Sequence, residues 1–274
     1  MKRSLVFATA AMGAVLASYI PARASVILFT NPNPVAGCAG GANCSSIVDF
    51  GGLGFGAYPR VLTLHDRPTQ VGGVGVDANG NVVTTGDAIA TGNNKSSSPT
   101  FGELGYTSGS QLAIGYNSSQ TGNTGISLND LRVDIYNVSN TLVQSFSLDS
   151  PIQFSAADLA LQQGNGQGLF IFKLDAAQAT ILNNILIAAG NTASLFHIGM
   201  FADMGCVGTV SATCQPSNGG IDSFLLGFRD NLVINPVDVN PVPLPAAVWM
   251  FLGGIGTVSL MLRRNKRRRE AAMA

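Results

Sequence analysis

From residue 131 to 136 the chain alternates. Leu131, Val133 and Ile135 fall on one face, and Arg132, Asp134 and Tyr136 on the other, the period-two signature of a half-buried strand. Residues 168–174 are apolar on both faces, with Phe170, Phe172 and Leu174 opposing Leu169 and Ile171, which suits a central strand. Further short strands are predicted at 26–30, 60–64, 82–85, 111–115, 143–148, 194–201 and 224–230. Asn79-Gly80 is a hairpin-turn signal, and 137–141 joins the strands on either side of it. Two segments leave this pattern. Ser155-Ala156-Ala157-Asp158 resembles a capping box, with Asp for Glu, opening a short helix that ends at Gly164. Residues 175–189 start on a carboxylate, contain no Gly or Pro, place Ile181, Leu182, Ile185, Leu186 and Ala189 at helical spacing, and meet Gly190. The expected fold is mainly β, a β-sandwich or jelly-roll-like ectodomain with one or two short helices. No internal repeat is visible.

Both ends of the chain read as addresses. Lys2 and Arg3 precede an apolar stretch over 5–16 and an Ala22-Arg23-Ala24 site before Ser25, so 1–24 is a secretory signal peptide cut between Ala24 and Ser25. At the other end an uncharged run over 246–262, with Trp249 near its start, leads into Arg263, Arg264, Lys266, Arg267, Arg268 and Arg269. The run is at the short end of what spans a hydrocarbon core about 30 Å thick as a helix. The basic block resists translocation and keeps 263–274 in the cytoplasm. The mature ectodomain is then 25–240.

Val242-Pro243-Leu244-Pro245-Ala246-Ala247, followed by that apolar helix and Arg-rich end, resembles a PEP-CTERM sorting signal in its VPLPA variant, over 241–274. The resemblance implies recognition by an exosortase, a polytopic membrane enzyme of Gram-negative bacteria that make extracellular polysaccharide. Cleavage would fall near the Pro-containing motif. It implies export through the Sec machinery, an inner-membrane-anchored precursor with a periplasmic ectodomain, and a final place at the cell surface or in the extracellular matrix, associated with exopolysaccharide or biofilm. Val-Pro-Leu-Pro replaces the familiar Pro-Glu-Pro. Three other readings compete: a permanent single-span anchor; a Gram-positive sortase signal, which fails because Ala247 and Val248 stand where Thr and Gly are required; and a lipid-anchor signal, which should end in apolar residues.

Charge changes the picture once the ends are removed. The whole chain is neutral, but residues 25–240 keep six basic residues against fourteen acidic ones, a net charge of −8. That argues against nucleic acid as a partner. All four cysteines, Cys38, Cys44, Cys206 and Cys214, are in this region, and an even count in an exported chain points to disulfides, most simply Cys38–Cys44 and Cys206–Cys214. A zinc site would want narrower spacing.

No catalytic constellation emerges. There is no G-x-S-x-G elbow and no H-E-x-x-H; His65 and His197 are far apart, and Gly51-Gly52-Leu53-Gly54-Phe55-Gly56 is followed by Tyr58-Pro59 rather than a helix. The chain reads as a non-enzyme without a cofactor. Asp77, Asn79 and Asn81 are calcium candidates because oxygen ligands at alternate positions of a turn converge on one centre. Val82 and Ala88 stand where an EF-hand loop needs Gly and Glu, and a plain hairpin turn explains the same residues. The alternative function is a carbohydrate-binding module with Tyr58, Tyr106, Tyr116 and Tyr136 as its platform.

Overall fold

The computed structural model describes residues 25–29, 43, 46–49, 58–120, 124–160 and 168–227. All belong to the first of two units, Met1–Leu232 and Val233–Ala274. The signal peptide up to Ala24, Cys38, Cys44 and the sorting segment 241–274 lie outside the described residues, while Ser25 opens the first strand. No helix among the described residues is long and apolar enough to cross a membrane.

The fold is mainly β, as the alternation predicts. Twelve described strands form one curled sheet: β1 (Ser25–Leu28), β2 (Ile47–Asp49), β3 (Arg60–Leu64), β4 (Thr69–Val76), β5 (Val82–Gly86), β6 (Ala113–Asn117), β7 (Ile126–Tyr136), β8 (Leu142–Leu148), β9 (Ile152–Phe154), β10 (Gly168–Leu174), β11 (His197–Gly205) and β12 (Asp222–Leu225). Their order is β3-β12-β6-β10-β1-β8-β7-β11-β4-β5, with β2 beside β10 and β9 beside β7. Pairing is antiparallel except between β1 and β8, where Ser25 and Val26 run parallel to Ser147 and Leu148. The two ends of this order meet. A bridge joins Leu64 of β3 to Ala88, just past β5, and the N–H groups of Ile89 and Ser97 donate to the carbonyls of Thr63 and Val61. Curling in this way removes most of the free edge that an open sheet would expose.

One apolar core lies inside the curl. Tyr116 of β6, Phe154 of β9, Phe170 of β10 and Phe224 of β12 are fully buried. The Phe154 ring lies 4.4 Å from Phe170 and 5.4 Å from Tyr116, and Tyr116 stacks on Phe224 at 5.0 Å. Val133, Ile135, Phe146, Ile198 and Met200 line the facing strands. The apolar positions of β7 point inward as the alternation requires, at about 1.5–3 kcal/mol for each large side chain withdrawn from water.

The helices follow their caps. Ser155 and Asp158 form the expected reciprocal box before α1 (Ala156–Ala160): the Asp158 N–H donates to Ser155 Oγ and the Ser155 N–H to Asp158 Oδ2. Asp175 caps α2 (Ala176–Ala189) by accepting from the Gln178 N–H, and Gly190 ends it at φ +56°. The buried face of α2 is rotated from the expected one: Gln178, Ala179, Leu182 and Leu186 are buried, while Ile181 is exposed. The helix rests on the 3-10 turn Gly109–Gln111, where a Cβ on Gly109 would meet Leu182 Cβ at 2.8 Å. That contact, not the apolar stripe alone, sets the rotation.

Strands β2, β4 and β9 are absent from the expectation, and β6, β11 and β12 are displaced along the chain. β4 reads Thr-Gln-Val-Gly-Gly-Val-Gly-Val, and its glycines hide a strand of eight residues. They are there because neighbours come close: a Cβ on Gly72 would stand 2.5 Å from the Thr85 carbonyl oxygen, and one on Gly75 2.7 Å from the Tyr136 hydroxyl.

A structural repeat also emerges. The β4–β5 turn at Asp77 and the β7–β8 turn at Asn137 are built alike. In each, the first residue's N–H donates to the carbonyl four residues on, and its side-chain oxygen accepts from the N–H groups two and four residues on. In each, the fourth residue is left-handed, Gly80 at φ +82° and Asn140 at φ +57°. The tips touch, with Asn140 Nδ2 donating to the Ala78 carbonyl at 3.4 Å. Beyond the turns the sequences share little, which is why no repeat shows in the chain.

Candidate functional site

The expected sites separate clearly in the structure. Cys206 and Cys214 form a disulfide that closes the loop after β11, worth about 2–3 kcal/mol for a loop this short. Asp77 spends its carboxylate on its own turn: Oδ1 accepts from Asn79 and Asn81 N–H, and Oδ2 from Asn81 Nδ2. The Asn81 side-chain and backbone bonds hold this carboxyl below its ordinary value. The twin turn is built the same way around a neutral Asn137, so a plain hairpin turn accounts for these bonds. Among the described residues no group of three or more His, Cys, Asp or Glu is placed to hold a metal. Asp77→Asn is expected to leave the urea midpoint essentially unchanged, and millimolar calcium to leave the melting temperature of wild type and variant alike; a calcium-dependent rise lost in Asp77→Asn would favour the metal reading.

The four-tyrosine platform does not form. Tyr116 is fully buried and Tyr106 nearly so, its hydroxyl oxygen accepting from the Gly227 N–H. Tyr58 and Tyr136 remain half-buried. His197 opens β11, where its Nδ1 donates to the Ser98 carbonyl at 2.9 Å, an ordinary strand role. A groove beside α2, lined by Tyr106, Asn183, Leu186, Ile187, Asn191 and Ser194, offers amides and apolar carbon but no general acid or base.

Two clusters were not legible in the chain. The first is buried. Asp222 of β12 accepts from Gln120 Nε2 at 2.6 Å, the Ser119 N–H at 3.2 Å and the Tyr116 hydroxyl at 3.3 Å. Burial raises its carboxyl to about 6, although hydrogen bonds from Ser118, Ser119, Gln70 and Tyr116 oppose the rise. Beside it Gln70 Nε2 donates to Ser217 Oγ and to the Gly220 carbonyl. Asp222 is sealed from solvent and surrounded by donors from its own chain, so it ties strands together rather than meeting a substrate.

The second cluster is open, on the outer face of the β8-β7-β11-β4-β5 half. Alternation sends Tyr136, Asp134, Arg132 and Asp130 of β7 outward, and the register sets Gly199, Phe201 and Asp203 of β11 beside the last three. Gly75, Gly73 and Val71 of β4 come next. Tyr136 leans across this floor: a Cβ on Gly199 would stand 2.8 Å from its Cε2. The Arg132 guanidinium lies over the Phe201 ring at 5.0 Å and is clamped by Asp134, with Nε at 2.9 and 3.1 Å and Nη2 at 3.1 Å from the carboxylate oxygens. Ser145 Oγ donates to the same carboxylate.

The electrostatics of this face are tight. Burial works against the Arg132 charge, but the hydrogen bonds and charge of Asp134 and the charge of Asp130 outweigh it and hold the guanidinium above its ordinary value. Burial, together with the nearby Asp203 and Asp134 charges, raises Asp130. Burial and the Asp134 charge raise the Tyr136 phenol. Asp203 accepts from Asn129 Nδ2 at 3.1 Å. The face holds rings, fixed donors and fixed acceptors, but no nucleophile paired with a base.

No family model, no curated protein and no solved structure matches this chain.

Proposed function

We propose that the chain is an exported, non-catalytic protein of the cell surface or extracellular matrix, sorted by an exosortase and associated with extracellular polysaccharide. The observation that carries this reading is the three-part end: Val242-Pro243-Leu244-Pro245-Ala246-Ala247, the apolar run 246–262, and the basic residues from Arg263 to Arg269. A signal peptide over 1–24 fits it, and so does a disulfide at Cys206–Cys214, a bond at home in oxidising compartments. The curled sheet is read as a sandwich-like, jelly-roll-like ectodomain, its two halves meeting at β1 and β8 around the Tyr116, Phe154 and Phe170 rings. Before processing, 246–262 would hold the precursor in the inner membrane, with the ectodomain in the periplasm.

The test is intact-mass measurement on protein recovered from the producing cells, envelope and medium separately. A C-terminus between 242 and 247, lost when Pro243 and Pro245 are both replaced by Ala, is the expected result. A membrane-fixed mass that keeps the tail to Ala274 would reduce the end to a permanent single-span anchor.

A further inference from the structure

We propose that the outer face of β8-β7-β11-β4-β5 binds a neutral polysaccharide chain, with sugar rings lying on Tyr136 and on the Phe201-backed Arg132 guanidinium. The proposal deepens the reading of the protein as polysaccharide-associated and rests on it; the chemistry of the face supplies the ligand class. A sugar ring offers flat patches of C–H and a rim of hydroxyls, each both donor and acceptor. The face matches both parts.

The flat part is built, not incidental. Gly75 and Gly199 leave the space into which Tyr136 leans, because a Cβ on either would come within 2.8 Å of its hydroxyl or ring. Arg132 is held over Phe201 by its pair with Asp134, so little side-chain freedom remains to be lost on binding. Tyr136 and Arg132 are four residues apart on one strand, about 13 Å, room for a short run of sugar rings. Val71 at 37%, Val83 at 41% and Val143 at 38% exposure show that this face meets solvent.

The polar part sets the ligand's charge. Arg132 Nη1 lies outside the Asp134 pair and provides a fixed donor, while Asp130 and Asp203 provide acceptors for hydroxyls. Three aspartates against one arginine leave the face net negative, in an ectodomain already at −8. A polymer carrying carboxylates or sulfates would be repelled. A neutral one loses nothing on that account, and its hydroxyls can satisfy both signs.

The experiment is native affinity electrophoresis of the full chain in neutral detergent, through gels containing dextran, hydroxyethyl cellulose or galactomannan, with alginate as the polyanion. Retardation by at least one neutral polymer is expected, whereas any retardation by alginate comes from the basic block at 263–269 and is unchanged in the face variants. Tyr136→Ala should weaken it at least about tenfold, while Tyr136→Phe keeps it. Thr85→Arg, at an exposed position of β5 beside Gly73, should block the face without touching the core. It carries the test if thermal unfolding shows Tyr136→Ala to be misfolded. Failure of all three neutral polymers, retardation by alginate that the face variants abolish, or neutral-polymer binding indifferent to the face variants overturns the proposal. The sorting reading fails separately: a retained tail with intact binding sinks only that reading, and normal processing without binding sinks only this one.

Discussion

Asp222→Ala is expected to lower the stability of the folded protein by about 2–4 kcal/mol, because it strands buried donors that each cost about 1–3 kcal/mol when unpaired. Gln120 Nε2, the Ser119 N–H and the Tyr116 hydroxyl all lose their acceptor together. Asp222→Asn keeps the shape and one acceptor oxygen while removing a charge from the interior, and should cost no more than about 1 kcal/mol at pH 7. The pH dependence separates the two effects. Burial raises the Asp222 carboxyl from its ordinary 3.8 to about 6 in the folded protein. Between those values the folded chain binds more protons than the unfolded chain, so stability rises as pH falls. Wild type should therefore gain on Asp222→Asn between pH 7 and pH 4 by about 2 kcal/mol, somewhat less than two units at about 1.4 kcal/mol each because the unfolded carboxyl also begins to take up its proton near pH 4. Urea titrations of both proteins across that range measure the difference. Parallel curves would mean that the carboxyl is not raised, and a wild type that loses ground toward pH 4 would mean that its charge stabilises the fold.

How much of this could be seen in the chain depends on distance along it. Features written within a few residues were legible: the alternation of β7, the two-faced apolar run of β10, the Ser155–Asp158 box, and the Asp175 and Gly190 ends of α2. Features defined by close approach between strands were not. β4 is missing from the predicted strands because three of its eight residues are glycine, and the reason for those glycines lies across the sheet, in Thr85, Met200 and Tyr136. α2 turned its buried face toward a contact with Gly109, some seventy positions earlier. Both polar clusters are of this second kind. Asp222 gathers partners from β6 and the segment after it, and the open face combines β7 with β11 and β4 through register alone. Tyr136 was named as a platform residue from its type, but nothing local distinguishes it from Tyr116, which the same alternation of a different strand sends into the core. Asp77, Asn79 and Asn81 are local, and so is the hairpin turn that accounts for their hydrogen bonds.

Phe154→Ala should cost about 3–5 kcal/mol, a large share of the roughly 5–15 kcal/mol that a domain has. The reason is its position more than its size. β9 is only three residues long and hangs on β7 through Ile126, Ser127 and Leu128, yet its Phe154 ring reaches Phe170 at 4.4 Å and Tyr116 at 5.4 Å on β10 and β6. It brings an aromatic ring from the β7 side of the curl against the rings of the β6–β10 side. Removing it opens a cavity between strands that the sheet holds in place, so the walls cannot close over it. Phe154→Leu leaves most of that volume filled and should recover more than half of the loss. Tyr136→Ala removes a ring of similar size from the open face, where no sealed cavity can form, and should cost less than about 1 kcal/mol. Urea midpoints for the three variants rank these costs, and near-ultraviolet circular dichroism reports whether the aromatic side chains as a set keep their packing. A loss below about 1 kcal/mol for Phe154→Ala would show that the two sides of the sheet are held by the β1–β8 junction and the Leu64–Ala88 bridge without a shared aromatic core.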